Sequence, residues 1–242
     1  MTELSIIIPT LNEAPRLAFL LPYLQRNLEV PANVEIIIAD GGSSDGTQDM
    51  GRKLGAVVLS TPTGRAVQMN AGAKNARGRI LYFLHADSVP PPSFYSDILN
   101  ALKKKQTAGC FRLRFKPSNP TLDAFAWCTR LNIPLCRGGD QSLFLPRIWF
   151  EALGGFDERY RIYEDNELIG RLYRQYSFTV LTPEVVTSSR RYQQLGTYRL
   201  QFYYAMVHLK KFFGASPEAL YRYYKNHVQG GGEISASGSN RE

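Results

Sequence analysis

Cysteine is scarce in this chain of 242 residues: Cys110, Cys128 and Cys136 stand far apart with no Cys-x-x-Cys pair. Neither a disulfide framework nor a zinc ribbon is implied, and a reducing compartment is the expected setting. The opening MTELSIII has no basic n-region and no small-residue cleavage site, which points away from export and toward the cytoplasm. No internal repeat occurs. The almost continuously apolar stretch Tyr198 to Phe213 is broken by Arg199, Gln201, His208, Lys210 and Lys211. It falls short of the roughly 20 apolar residues that a bilayer span requires. A Gly-x-Gly-x-x-Gly turn is missing after the first apolar run, where Pro9-Thr10-Leu11-Asn12 stands instead. That absence argues against a dinucleotide oxidoreductase, and the lack of a glycine-rich basic loop there argues against a nucleotidyltransferase.

Acidic side chains are in deficit, 21 against 29 basic, for a net charge of +8. The excess is local. Residues 1–189 carry 21 basic and 18 acidic groups, residues 190–227 carry 7 and 1, and the last 15 residues sum to −1. A nearly neutral body with one basic, aromatic C-terminal surface is not the pattern of a nucleic-acid-coating protein, so no nucleic acid is expected as partner.

What is present reads as an α/β domain. Leu4 to Pro9 and Val34 to Ala39 are short β-branched runs suited to strands buried on both faces. Between them Leu17, Leu20, Leu21, Leu24 and Leu28 recur at helical spacing, with Asn12 as the expected cap and Pro15 in the first turn. Strands near Ala56 to Leu59 and Arg79 to Leu84 alternate with helices over Arg65 to Ala76 and Ser93 to Lys105, the order of a parallel sheet. Phe111, Leu113 and Phe115 alternate with Arg112 and Arg114 as a half-buried strand, and Leu122 to Leu131 reads as a helix. Ser142 to Leu145 is a short strand, and a helix carries Leu168, Ile169, Leu172 and Tyr173. The tail from Gly230 is small and polar enough to be disordered. In an open parallel sheet functional groups collect at the carboxyl ends of strands, so Asp40 and Asp87 are expected to face one crevice.

Asp40 and Asp45, in a turn with glycines at 41, 42 and 46, suit hydrogen bonds to a ribose or a base edge; Asp45 as a helix cap is the plainer account. Asp87 is a hard oxygen donor suited to Mg²⁺ or Mn²⁺, while His85 is a ligand, a supporting donor or a loop histidine. Glu164-Asp165 suits either general-base work or a helix N-terminus whose acids complement the dipole. Arg190-Arg191-Tyr192 is a phosphate-holding pair or a solvated one. Residues 198–213 form either an interfacial helix or one packed on the domain or on a second subunit.

Ser5-Ile6-Ile7-Ile8-Pro9-Thr10-Leu11-Asn12-Glu13, Asp40-Gly41-Gly42-Ser43-Ser44-Asp45-Gly46-Thr47, Gly64-Arg65-Ala66-Val67-Gln68-Met69-Asn70-Ala71-Gly72, His85-Ala86-Asp87, Gly154-Gly155-Phe156-Asp157 and Glu164-Asp165 occur in that order. The series resembles the family 2 glycosyltransferases with the GT-A fold, over residues 4 to about 190. The resemblance implies a Rossmann-like open, mixed, mostly parallel sheet flanked by helices. The expected layout is a catalytic domain over 1–189, with a nucleotide half over about 1–105 and an acceptor half over 106–189. A basic aromatic helical appendage over 190–228 and a disordered tail over 229–242 would follow.

It also implies inverting transfer of a sugar from a nucleotide-diphosphate-sugar to the hydroxyl of a small-molecule or lipid-linked acceptor. By position, Pro9, Asn12 and Glu13 would line the nucleoside pocket, Asp40 would contact the base, and Arg65 would sit near base or phosphate. His85, Ala86 and Asp87 match the Asp-x-Asp metal motif, with His85 in place of its first aspartate and Asp87 as the Mg²⁺ or Mn²⁺ ligand. Gly41 stands where many members carry a second aspartate. Asp165 matches the catalytic base, with Glu164 beside it on the acceptor side, and Arg190 and Arg191 fall to the diphosphate; Asp140, on its glycine hinge with Gly139, reads as an acceptor-loop residue or as a plain turn. His85-Ala86-Asp87-Ser88, Gly138-Gly139-Asp140-Gln141 and Ser188-Ser189-Arg190-Arg191-Tyr192 further resemble a bacterial subgroup associated with arsenosugar biosynthesis and radical-SAM neighbours. Residues 190–228 are the expected surface for a membrane face or a homodimer, which would place the protein at the inner face of the cell membrane. The competing reading is a non-catalytic nucleotide-sugar-binding or membrane-surface scaffold.

Overall fold

The structure, a computed structural model, describes residues 2–229. The expected tail over 230–242 lies outside the described residues. Strands β1 (Leu4–Thr10) and β2 (Val34–Asp40) flank helix α1 (Ala14–Arg26); α2 (Thr47–Lys53), β3 (Val57–Ser60), α3 (Arg65–Asn75) and β4 (Ile80–Phe83) follow. The second half runs β5 (Ser88–Val89), α4 (Phe94–Lys104), β6 (Ala108–Lys116), α5 (Pro120–Cys128), β7 (Leu143–Pro146), α6 (Arg147–Ala152), α7 (Glu164–Gln175) and β8 (Phe178–Ser188). Helices α8 (Arg190–Leu195), α9 (Thr197–Phe212) and α10 (Pro217–Tyr224), the last continued by a π-helical turn over Lys225–Gln229, end the described chain.

All eight strands join one sheet in the order β3-β2-β1-β4-β7-β6-β8-β5. β1 through β4 are parallel, β7 runs antiparallel between β4 and β6, β8 is parallel to β6, and β5 is antiparallel to β8. The mixed, mostly parallel sheet matches the expected architecture. Alternation along β1 sends side chains to opposite faces. Leu4, Ile6 and Ile8 meet Leu17, Leu21 and Leu24 of α1 on one side, whereas Ile7 meets Ala66, Met69 and Ala73 of α3 on the other. The approach of α3 is close: a Cβ at Gly72 would collide with Ile7 Cγ2, so the helix needs glycine there.

Two local expectations are corrected. Asn12 does not cap α1; it takes a left-handed φ of 57°, and Glu13 holds the cap position. The helix N terminus is instead served from another loop, because Asp45 Oδ2 accepts from Ala14 N at 3.1 Å. Strand β8 was not expected. Its ladder with β6 steps from Leu181 to Glu184 around Thr182 and Pro183, as a residue without a backbone N–H requires.

Helices α8 to α10 do not hang from the domain. Tyr192, Leu200, Tyr224 and Val228 are buried in the same apolar cluster as Leu4 and Phe94. No described helix is long and apolar enough to cross a membrane.

Candidate active site

The carboxyl ends of β1, β2 and β4 carry the loops that the sequence marks for chemistry, and the first two are tied to each other. Asp40 is fully buried at the end of β2. Its carboxylate accepts from Thr10 Oγ1, the Gly42 and Ser43 amides, Ser43 Oγ and Gln48 Nε2. Burial works to raise its pKa, but the Ser43, Gln48 and Thr10 donors outweigh that and hold it below the ordinary carboxylate value. With both oxygens occupied, Asp40 fixes the loop and does not reach the cleft, which corrects its expected place against the base. Asn12 departs from expectation for a related reason. Its amide donates to Ser43 Oγ at 2.8 Å and its Oδ1 accepts from Ser44 N at 3.0 Å, pinning the loop after β1 to the loop after β2. Asp45 also accepts from Thr47 N at 3.0 Å, so one carboxylate serves the start of both α1 and α2. The capping account of Asp45 is the one seen.

Beyond these loops lies a cavity of about 700 Å³. Pro9, Glu13, Arg65, His85, Ala86 and Asp87 line it from the first half of the chain. Gly139, Asp140, Glu164, Asp165, Arg190 and Arg191 line it from the second. Asp87 and Asp165 therefore both line the cavity, whereas Asp40, expected to face one crevice with Asp87, lies outside its lining.

The floor is a cluster of poorly partnered charges at the start of α7. Asp165 is 7% exposed. Burial and the neighbouring Glu164 charge push its carboxyl up to about 6. His85 lies between two acids, with Nδ1 3.6 Å from Asp140 Oδ1 and Nε2 3.8 Å from Asp165 Oδ2. Desolvation opposes its protonation, but Asp140 and Asp165 raise its pKa overall. The Asp140 side chain is about half exposed, and against what desolvation remains the His85 partner holds its carboxyl below the ordinary range. The Glu164 side chain is buried, with Oε1 3.8 Å from the Arg65 guanidinium and Oε2 without a hydrogen-bond partner among the described residues. Gly139 makes the arrangement fit: a Cβ there would overlap the Asp165 carboxylate and approach His85 Cε1 to 2.9 Å.

Among the described residues no three His, Cys, Asp or Glu side chains converge as a metal cage. Asp87, half-buried on the cavity wall, is a single hard oxygen donor, and both His85 ring nitrogens face acids. The residues present therefore fit a divalent cation that takes most of its shell from diphosphate and water, as Mg²⁺ commonly does. They do not fit His85 as a ligand.

Several residues of the site escaped sequence reasoning. Gln68 is 3% exposed, and its Nε2 donates to the Thr10 and Ala39 carbonyls, stapling the ends of β1 and β2 at the cavity edge. Its place in the α3 motif was the available signal. Tyr163 enters α7 with a left-handed φ of 72° and packs edge-on to His208 of α9, ring centroids 4.9 Å apart. Tyr204, His208, Tyr221 and Tyr224 of α9 and α10 complete the wall. Arg191 donates to the Tyr224 hydroxyl at 2.5 Å and is tied into this wall, while Arg190 lines the cavity from an exposed position.

A family model described as glycosyl transferase family 2 matches residues 5–146. The validoxylamine A glucosyltransferase of Streptomyces hygroscopicus subsp. limoneus is 26% identical over 216 residues, covering 70% of this chain and 48% of that protein. The chain spans about half or less of the length of the curated relatives it matches. Among solved structures, the mannosyltransferase PcManGT from Pyrobaculum calidifontis, in complex with GDP-Man and Mn²⁺, superposes with a TM-score of 0.69 at 19% identity, covering 97% of this chain and 70% of that one. TarS 1-349 of S. aureus in complex with UDP-GlcNAc gives 0.65 at 18% identity, with 77% and 58% covered. These two likenesses show the GT-A fold.

Proposed function

The chain belongs to glycosyl transferase family 2, and from that membership we propose that it moves a sugar from a nucleotide-diphosphate-sugar onto an acceptor hydroxyl with inversion, Asp165 acting as general base. One observation carries the reading. A carboxylate raised to about 6 by burial and by Glu164 sits on the floor of a cavity whose other walls carry Arg65, Arg190 and Arg191.

A base near neutrality is suited to take a proton at working pH. In the proposed step the acceptor O–H proton passes to Asp165, the acceptor oxygen bonds the anomeric carbon, and the bond to the diphosphate oxygen breaks. Attack from the face opposite the leaving group inverts that carbon. Arg65, half exposed and, against what desolvation remains, with its guanidinium pKa raised further by Glu164 and Asp165, faces the cavity where the leaving diphosphate accumulates charge, and Arg190 and Arg191 add to the same field. A Mg²⁺ or Mn²⁺ ion held by Asp87 would neutralise part of that charge when bound. PcManGT is described with GDP-Man and Mn²⁺ and TarS with UDP-GlcNAc, which supports the donor class. The acceptor reaches Asp165 past Tyr163, Tyr204 and His208, a wall suited to a small molecule or to the end of a lipid-linked one.

A thermal-shift panel of UDP-, GDP-, CMP- and dTDP-sugars, each with and without Mn²⁺, tests the donor class, since a ligand bound only by the native state raises its melting temperature. One nucleotide is expected to stabilise the protein, and more with Mn²⁺ than without. Asp87→Ala should remove the metal increment alone. A panel with no shift sinks the reading; an undiminished metal increment in Asp87→Ala removes that residue as the ligand.

A further inference from the structure

We propose that the rim of the cavity docks on an anionic phospholipid bilayer, with α9 lying in the interface and the α5 region as a second foot. Fifteen large apolar side chains are exposed among the described residues, and ten of them fall in two segments, 125–135 and 198–213. Both segments border the cavity.

Helix α9 has three faces. Leu200 and Val207 are buried in the domain. Gln201, Tyr204 and His208 line the cavity. Tyr198, Phe202, Leu209 and Phe212 form an outward stripe at helical spacing, exposed by 77%, 59%, 46% and 82%. In the other segment, 125–135, Phe125, Trp127, Leu131, Ile133 and Leu135 are exposed, and Phe125 and Leu135 also line the cavity. The two sets are linked where Thr121 Oγ1 lies 3.1 Å from Tyr198 Oη and Asn119 Nδ2 lies 3.4 Å from Thr197 Oγ1. An apolar rim around a polar cavity is costly to leave in water.

Charge selects the occupant. Residues 190–227 carry seven basic groups and one acid; Arg190 and Arg191 line the cavity and Lys211 donates to the Tyr160 hydroxyl, while Arg199, Lys210, Arg222 and Lys225 lie outside the cavity lining. A second copy would bring the same excess of positive charge to the same face, whereas anionic headgroups complement it. A 16-residue helix with an aromatic stripe and basic flanks is built to lie in the interface plane. If the transferase reading holds, the opening between the two feet faces the bilayer, and the acceptor hydroxyl belongs to a membrane lipid or a lipid-linked glycan.

Vesicle flotation of the full chain tests this, with phosphatidylcholine alone and with about 30% phosphatidylglycerol added. Binding is expected with the mixed vesicles and to weaken at about 0.5 M salt. The double variant Phe202→Ser/Phe212→Ser should bind at least about tenfold more weakly, while its nucleotide-sugar thermal shift stays that of the parent. No flotation, equal flotation of the double variant, or a concentration-dependent dimer that the double variant abolishes would each overturn the proposal. A chain that floats yet responds to no nucleotide sugar leaves the docking standing and removes the transferase reading instead.

Discussion

The loops after β1 and β2 and the cluster at the start of α7 are both rich in carboxylates, but they treat them in opposite ways. Asp40 and Asp45 are surrounded by donors from their own and neighbouring loops, and both are held below the ordinary carboxylate pKa, Asp45 chiefly by Thr47. Asp165 is desolvated beside Glu164 and lifted to about 6, while Glu164 keeps a buried oxygen unpartnered. The first region uses its acids as anchors that make a rigid platform. The second leaves its acids under-satisfied, which costs stability and leaves capacity to bind a proton or a substrate.

That contrast predicts a trade-off between activity and stability. Asp165→Asn should lower transfer by about 10²–10⁴-fold, the range of a lost general base, with nucleotide affinity nearly intact. The same change should raise stability. A carboxyl whose folded pKa lies above its unfolded one adds stability only in its protonated form, which is lost as pH rises from the unfolded value through about 6. At neutral pH the neutral amide therefore gains about 1–3 kcal/mol over the ionised parent, seen as a melting temperature several degrees higher. An active but unchanged Asp165→Asn protein would break the contrast. In the parent, kcat/KM should fall as pH drops below about 6, where the base is protonated.

Gly139→Ala sharpens the same point through geometry. The added Cβ would overlap the Asp165 carboxylate, so the base must move while the platform stays. A displacement of that kind is expected to cost about 10²-fold in rate with an unaltered nucleotide thermal shift. Equal loss of both would mean that the loop at 138–141 supports the whole cleft and not the base alone.

The strand and helix order of the first half was legible because its signals are local. The apolar runs of β1 and β2 are buried almost throughout, and Leu17, Leu20, Leu21 and Leu24 recur on one face of α1. Strand β8 was not, because Phe178 to Ser188 is half-buried, with Pro183 inside it, and pairs only by stepping around that residue. In the site, Asp87 pointed to the cleft because topology brings strand ends together, whereas Asp165 and Arg65 were placed only by the resemblance of their motifs to the family. The fate of Asp40 depended on where Gln48, Thr10 and the Ser43 amide fold back, and spacing alone does not encode that. Helix α9 hid its threefold role for a related reason: aromatic or apolar side chains occur on all three faces, and the Gln201 and His208 that mark the cavity face read in sequence only as interruptions of an apolar run.

The smallest effect concerns the platform and should carry the opposite pH signature. In Asp40→Asn the amide oxygen can keep the Gly42, Ser43 and Gln48 donors, but the charge is lost and an NH₂ group meets the Thr10 and Ser43 hydroxyls, which must turn from donors into acceptors. The expected loss is about 2 kcal/mol at neutral pH, on the scale of a hydrogen bond to a buried charge. Because the folded pKa of Asp40 is depressed, its stabilisation is complete above the unfolded value of about 3.9 and disappears as pH falls through the folded one. Thermal unfolding of parent and variant should therefore converge in acid and separate toward neutrality, the variant below the parent. Asp165→Asn should separate in the same direction of pH but above the parent. If both variants fell below it, Asp165 would be another satisfied anchor, and the division between the two regions would be lost.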